Sequence, residues 1–171
     1  KFHTTVAQGL FACKRARPDI SPAIAFLTTR VKESTEEDAK KLDRMMAFLA
    51  LTKKDKLTLE AGKELIAKWY PDAAFAVHPD MKSHTGYILT LGKGAIISAS
   101  RKQSLNTRSS TEAELVGADD AAGPMLWTLR FLTSQGLQVK NVMYQDNKST
   151  ILLQTNGRSS AGKRSRHLDI R

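Results

Sequence analysis

The chain has one cysteine, Cys13, in 171 residues. No disulfide can close within it, and its thiol content is compatible with a reducing compartment. Histidines are few as well. His3, His78, His84 and His167 lack the paired short spacing of a structural zinc site. No apolar run approaches the roughly 20 residues that span a bilayer, and the N-terminus lacks a signal-peptide layout. These absences read as a soluble, intracellular protein with no membrane partner. Acids are also in short supply, 17 against 27 Lys and Arg, for a formal net charge of +10. Such an excess on a folded protein suits a polyanion, with nucleic acid the leading candidate and a generically basic surface the plain alternative. A hydrophobic fraction of 41% is enough for a core and argues against disorder. The length suits one medium domain, or one with a helical appendage. Lys1 is not an initiator methionine, so the expectation is an excised piece of a longer chain.

The first third reads as helices. Val6, Leu10, Phe11 and Cys13 recur at helical spacing from residue 3 to about 16. After Pro18, Ser21-Pro22 opens a second helix through Ile24, Phe26, Leu27 and Val31. Ser34-Thr35-Glu36-Glu37 starts a third, with acids where the helix dipole favours them and Leu42, Met45, Met46, Leu49 and Leu51 as the side predicted to be buried. A strand at Leu57-Thr58-Leu59 follows. These helices carry no visible chemistry. Lys14, Arg15 and Arg17 suit either a phosphate backbone or a solvated face.

From residue 64 the period changes. Leu65 to Tyr70 leads into Asp72; Gly86 to Leu91 and Ala95 to Ser100 form two strands about a tight turn at Gly92-Lys93-Gly94. A polar loop precedes a helix that opens at Ser109 and runs toward Leu132, with Gly136 as its C-terminal cap. Pro124 inside it should kink or split it. Val139 to Met143 is a strand, Ser149 to Gln154 begins another helix, and Arg158, Lys163, Arg164 and Arg166 make a basic loop. The expected fold class is α/β, a mixed sheet with flanking helices preceded by a small helical subdomain.

Three carboxylates stand out in this half. Asp72 after Pro71 is either a turn residue or a site residue. With Ser109 as N-cap, Glu112 falls at the third helical position and completes a capping box. Glu114, about 200 degrees further around the helix, has no such employment, and beside Leu115 it is a partly buried charge in need of a partner or a cation. Asp146 ends a strand ahead of Asn147, where an N-cap is the ordinary reading and a site at the carboxyl end of a sheet strand the other. If the three converge, hard oxygen ligands favour Mg²⁺, with Mn²⁺ as a substitute.

Tyr70-Pro71-Asp72-Ala73, Lys82-Ser83-His84-Thr85-Gly86-Tyr87, Ser109-Ser110-Thr111-Glu112-Ala113-Glu114, Trp127, Asp146-Asn147-Lys148-Ser149 and Lys163 to Ile170 together resemble, in order and spacing, the ribonuclease H domain of copia-type LTR-retrotransposon polymerases. Upstream, Ala7-Gln8-Gly9-Leu10-Phe11 and Arg17-Pro18-Asp19-Ile20 resemble the end of the reverse transcriptase, its thumb and connection region. The resemblance implies a division into 1–62, helical and connection-like, and 63–171, ribonuclease H-like. It also implies Asp72, Glu114 and Asp146 as catalytic metal ligands, with two Mg²⁺ ions, cleavage of the RNA strand of an RNA–DNA hybrid, and the polymerase region of the same polyprotein as a partner. An intracellular setting follows from it too, in a cytoplasmic virus-like particle or the nucleus.

Three departures accompany it. Ala74 stands where many relatives carry a second acid, and the polymerase's paired-aspartate motif is absent. The family's fourth acid and last strand are expected beyond Arg171, which leaves Asp169 as a further candidate ligand. Gln103, Asn106, Thr107 and Arg108 of the polar loop, with Lys148, are the expected substrate contacts, reading 2′-hydroxyls in the minor groove. A non-catalytic nucleic-acid-binding or connection module of a polymerase is the competing expectation.

Overall fold

A computed structural model describes residues 1–157. The helical part contains α1 (Phe2–Arg15), a 3₁₀ turn at Pro18–Ile20, α2 (Ser21–Thr28) and α3 (Glu36–Leu51). Both prolines sit in first turns, where a missing N–H costs nothing. Thr35 caps α3 reciprocally: its hydroxyl accepts from the Asp38 N–H at 3.3 Å, and its own N–H donates to the Asp38 carboxylate at 2.9 Å. Val6, Cys13, Ile20, Ile24, Leu27, Leu42 and Met45 form one core. Two expectations fail here. α2 stops at Thr28, short of Val31. Met46 and Leu51 face water, the latter 86% exposed, because α3 meets its neighbours on one narrow side and its apolar stripe is wider than that contact.

The second part is a four-stranded mixed sheet in the order β5-β3-β2-β6, built from β2 (Ile66–Ala74), β3 (His84–Thr90), β5 (Ile97–Lys102) and β6 (Lys140–Met143). β2–β3 and β3–β5 are antiparallel, whereas β6 runs parallel to β2. The crossover that a parallel pair requires is α4 (Ser110–Ser134), which lies on one face of the sheet, and α5 (Lys148–Asn156) follows β6. Trp69, Leu89, Ala67, Tyr87 and Ala121 form the second core. Along β2, Ala67, Trp69 and Pro71 are buried while Tyr70 and Asp72 are exposed, as the two-residue period of a strand dictates.

The expected turn at Gly92-Lys93-Gly94 is instead a two-residue strand, β4 (Gly92–Lys93), paired antiparallel with β1 (Glu60–Ala61) in a separate small sheet. The strand predicted at Leu57 to Leu59 is thereby moved to β1. Only glycine fits at 92, since a Cβ there would meet the Glu60 carbonyl oxygen at 2.3 Å.

Pro124 neither splits nor ends α4, which is continuous for 25 residues. The proline deprives the Asp120 carbonyl of its usual N–H partner. The Arg101 guanidinium, from β5, donates to that oxygen at 3.3 Å while pairing the Asp120 carboxylate at 2.7 Å. The helix ends as predicted at Gly136 (φ +80°), where the Gly136 and Leu137 N–H groups donate to the Thr133 and Leu132 carbonyls.

Candidate metal centre

The pairing of β2 with β6 ends at Trp69 and Met143, with one last bond from the Tyr144 N–H to the Trp69 carbonyl at 2.8 Å. Beyond that point the two chains part. Strand alternation aims the backbone groups of Trp69, Pro71 and Ala73 toward the departing β6. Pro71 has no N–H to leave unpaired there, and the Ala73 N–H donates to Glu114 Oε1 at 3.4 Å. The split between two neighbouring strands is therefore the slot into which a side chain from α4 reaches.

α4 lies close enough for this because its sheet-facing positions are small. Ala113, Gly117 and Ala121 are buried in succession along it, and a Cβ on Gly117 would stand 3.4 Å from the Ala73 Cβ. Gln103 fastens the first turn, its amide donating to the Ala113 carbonyl at 3.0 Å and to Thr85 Oγ1 at 2.9 Å. α5 is seated beside it, with Thr150 fully buried against the Thr111 carbonyl.

Asp72 of β2, Glu114 of α4 and Asp146 of the β6–α5 turn each place one carboxylate oxygen within 4.8 Å of the other two. Glu114 is buried and the two aspartates are exposed. None of the three is ion-paired among the described residues. Burial, and then the Asp72 charge, push the Glu114 carboxyl above the ordinary glutamate value. The Ala73 and Gln145 donors pull it back, and Asp146 adds to the rise. The arrangement has the composition of a divalent-cation site: hard oxygen donors, acids without an ion-pair partner among the described residues, and an open side for water.

The capping roles are divided differently from the sequence expectation. Asn147, not Asp146, caps α5, its Oδ1 accepting from the Thr150 N–H at 3.1 Å. Asp146 is thus released from the role that competed with a site. Ser109 caps α4 as expected, accepting from the Glu112 N–H at 3.2 Å, but the Glu112 carboxylate accepts from the Arg108 N–H at 2.7 Å, one residue before the cap.

Of the expected substrate contacts, Asn106, Arg108 and Lys148 are exposed. Gln103 and Thr107 are not. Both are buried, Thr107 sharing a 2.7 Å hydroxyl contact with Ser83, so they shape the interior under α4 rather than a groove surface. Asp169 and the basic loop Arg158 to Arg166 lie outside the described residues. Gln145 carries no signal in the sequence, yet its amide donates to Glu114 Oε2 at 3.4 Å. The histidines lack ligand spacing in the sequence, yet His78 Nε2 and His84 Nδ1 are 3.0 Å apart. The six-residue interval spans the β2–β3 turn, and only the folded hairpin brings its ends together.

Asp72 also lines a groove of about 470 Å³ between the open face of the sheet and the 3₁₀ turn and start of α2. Beside it Tyr70 and Tyr144 stack, ring centroids 5.0 Å apart, each two residues ahead of an acid of the cluster.

A mixed sheet, a crossover helix and three convergent carboxylates define an α/β protein with a candidate cation centre at a strand split. The homologues of the chain are transposon polyproteins. It is 33% identical to the retrovirus-related Pol polyprotein from transposon TNT 1-94 of Nicotiana tabacum over 99% of its length. Over 82% of its length it is 36% identical to the corresponding polyprotein from transposon RE1 of Arabidopsis thaliana, and 34% identical to that from RE2. The chain covers 13%, 10% and 10% of these relatives, about a tenth of a much longer protein. No protein-family model matches the chain, and no solved structure does.

Proposed function

We propose that the chain is the ribonuclease H-like segment of a retrotransposon Pol polyprotein, a divalent-metal nuclease that cuts the RNA strand of RNA–DNA hybrids. The convergence of Asp72, Glu114 and Asp146 within 4.8 Å carries this reading. Retrotransposon homology over nearly the whole chain and a net charge of +10 support it. On this reading residues 1–62 are a connection-like helical unit and 63–171 the nuclease unit, and the remainder of the polyprotein is the partner. The setting is a cytoplasmic virus-like particle or the nucleus.

The donor set suits Mg²⁺, with Mn²⁺ as a substitute. When bound, such ions supply an activated water and charge stabilisation on the leaving oxygen. The chain's own residues hold the reaction in place. Asp72 and Asp146, exposed on either side of the strand split, offer oxygens to cation and water together, and Glu114 closes the site from within. Asp169 is proposed as a fourth ligand. Asn106, Arg108 and Lys148 are proposed to contact the nucleic acid, where Arg and Lys neutralise phosphates.

The competing reading, a non-catalytic connection or nucleic-acid-binding module, draws on one observation: α2 packs against the sheet, Phe26 stacking on His78 with ring centroids 6.3 Å apart and Ser21 and Pro22 lining the Asp72 groove. Cleavage of a labelled hybrid in Mg²⁺ or Mn²⁺ separates the two. The nuclease reading expects metal-dependent cutting of the RNA strand that falls at least a hundredfold in Asp72→Asn and in Asp146→Asn. Hybrid binding without cutting in the unmutated chain transfers the assignment to the binding module.

A further inference from the structure

We propose that Gln145 is a positioning residue of the metal centre, its carboxamide tying Glu114 on α4 to the turn that carries Asp146. The proposal rests on the reading of the three acids as cation ligands.

Gln145 sits between the last residues of β6 and Asp146, and it bonds in two directions. Its Nε2 donates to Glu114 Oε2 at 3.4 Å, and its Oε1 accepts from the Asn147 N–H at 3.0 Å. The Ala73 N–H holds the other Glu114 oxygen at 3.4 Å. Each oxygen of the buried carboxylate is therefore held by a donor from a different side of the strand split, Ala73 from β2 and Gln145 from the β6 end. A backbone donor fixes Glu114 relative to Asp72, its neighbour on β2; the carboxamide fixes it relative to Asp146.

The chemistry of the group suits this task. Three carboxylates within 4.8 Å repel one another, and a neutral amide supplies an N–H to one of them without neutralising any. A Lys or Arg at 145 would satisfy Glu114 but would remove the charge that attracts the cation. A Ser or Thr, with a shorter reach, would not span from the turn to α4. The second bond, to Asn147, holds the amide plane so that its N–H edge faces Glu114.

Mn²⁺ binding by the full chain, followed by electron paramagnetic resonance and by the metal-induced rise in Tm, tests this without recourse to nuclease activity. Gln145→Met is nearly isosteric and loses both bonds. Gln145→Glu keeps an acceptor for the Asn147 N–H but replaces the donor with a repelling carboxylate. The expected results are a Kd for Mn²⁺ at least fivefold weaker in Gln145→Met, and in Gln145→Glu a lower metal-free Tm with a larger rise on saturation than in the unmutated chain. A residue that merely seats α5 would leave Mn²⁺ affinity unchanged in both variants and lower only the Tm of Gln145→Met; that pattern overturns the proposal while the cation site stands. Failure of the unmutated chain to bind Mn²⁺ overturns the proposal together with the reading beneath it.

Discussion

The burial of Glu114 beside Asp72 works against the fold as pH rises toward neutrality. Its carboxyl titrates above the ordinary value of 4.5 in the folded chain and near that value when unfolded. Its contribution is therefore favourable below about pH 4.5 and is lost as pH rises through the raised value, where an ionised group must stay buried beside two other acids. Glu114→Gln is expected to raise the metal-free Tm at pH 7.5, to leave it nearly unchanged at pH 4, and to abolish the extra stability conferred by Mn²⁺; thermal melts at the two pH values, with and without metal, check this. The same residue was legible in the sequence because the cap at Ser109 accounts for Glu112 and leaves Glu114 unemployed. The loop residues were less so. Gln103 and Thr107 are polar, and a polar side chain in a loop does not declare whether it meets solvent or the buried Thr85 and Ser83 beneath it.

α4 is the element that brings the site together, and its two unusual features were only half readable. Pro124 was visible as a helix breaker, but the guanidinium that takes up the freed Asp120 carbonyl comes from β5, on another part of the chain. Hydrophobic periodicity also gives no hint that Ala113, Gly117 and Ala121 set the spacing between helix and sheet. At Gly117 an added methyl meets its nearest neighbour at 3.4 Å, ordinary contact, and alanine gains up to about 1 kcal/mol over glycine inside a helix. Gly117→Ala is thus expected to be neutral or stabilising and to retain Mn²⁺ binding. Gly117→Val, whose branches have nowhere to go between Ala73 and Thr85, is expected to lift the helix from β2 and weaken Mn²⁺ binding at least tenfold; calorimetric titration of both variants distinguishes helix spacing from helix propensity.

At the scale of the whole molecule two cores are joined partly through histidine. Phe26 of α2 stacks on His78, which contacts His84, and His84 Nε2 in turn lies 2.6 Å from Ser100 Oγ on β5. Burial lowers both imidazole pKa values. The neighbouring Lys102 lowers His78 further and Asp80, ion-paired with Lys102, opposes it, while His78 lowers His84. The neutral pair therefore stabilises the fold fully above the ordinary histidine value of 6.5, and that contribution is lost as pH falls through the lowered folded values. His78→Phe is expected to flatten the dependence of Tm on pH between 7 and 5, as read from melts across that range. The mixed α/β sheet with its flanking helices followed from sequence pattern, whereas the small β1–β4 sheet did not. The meeting of the two cores did not, since it depends on contacts between residues far apart in the chain. That distance has a kinetic side. Trp69 Nε1 reaches Asn141 Oδ1 across 72 residues, and Asp72 and Asp146 lie just beyond that same seam. Hairpins such as β2–β3 close short loops early, whereas a parallel pair must wait for a long one. Loop length therefore favours a late meeting of the three acids, and on the proposed reading an ion bound by them is expected to act as a lock on the finished structure, slowing its escape from the native state rather than guiding its arrival there.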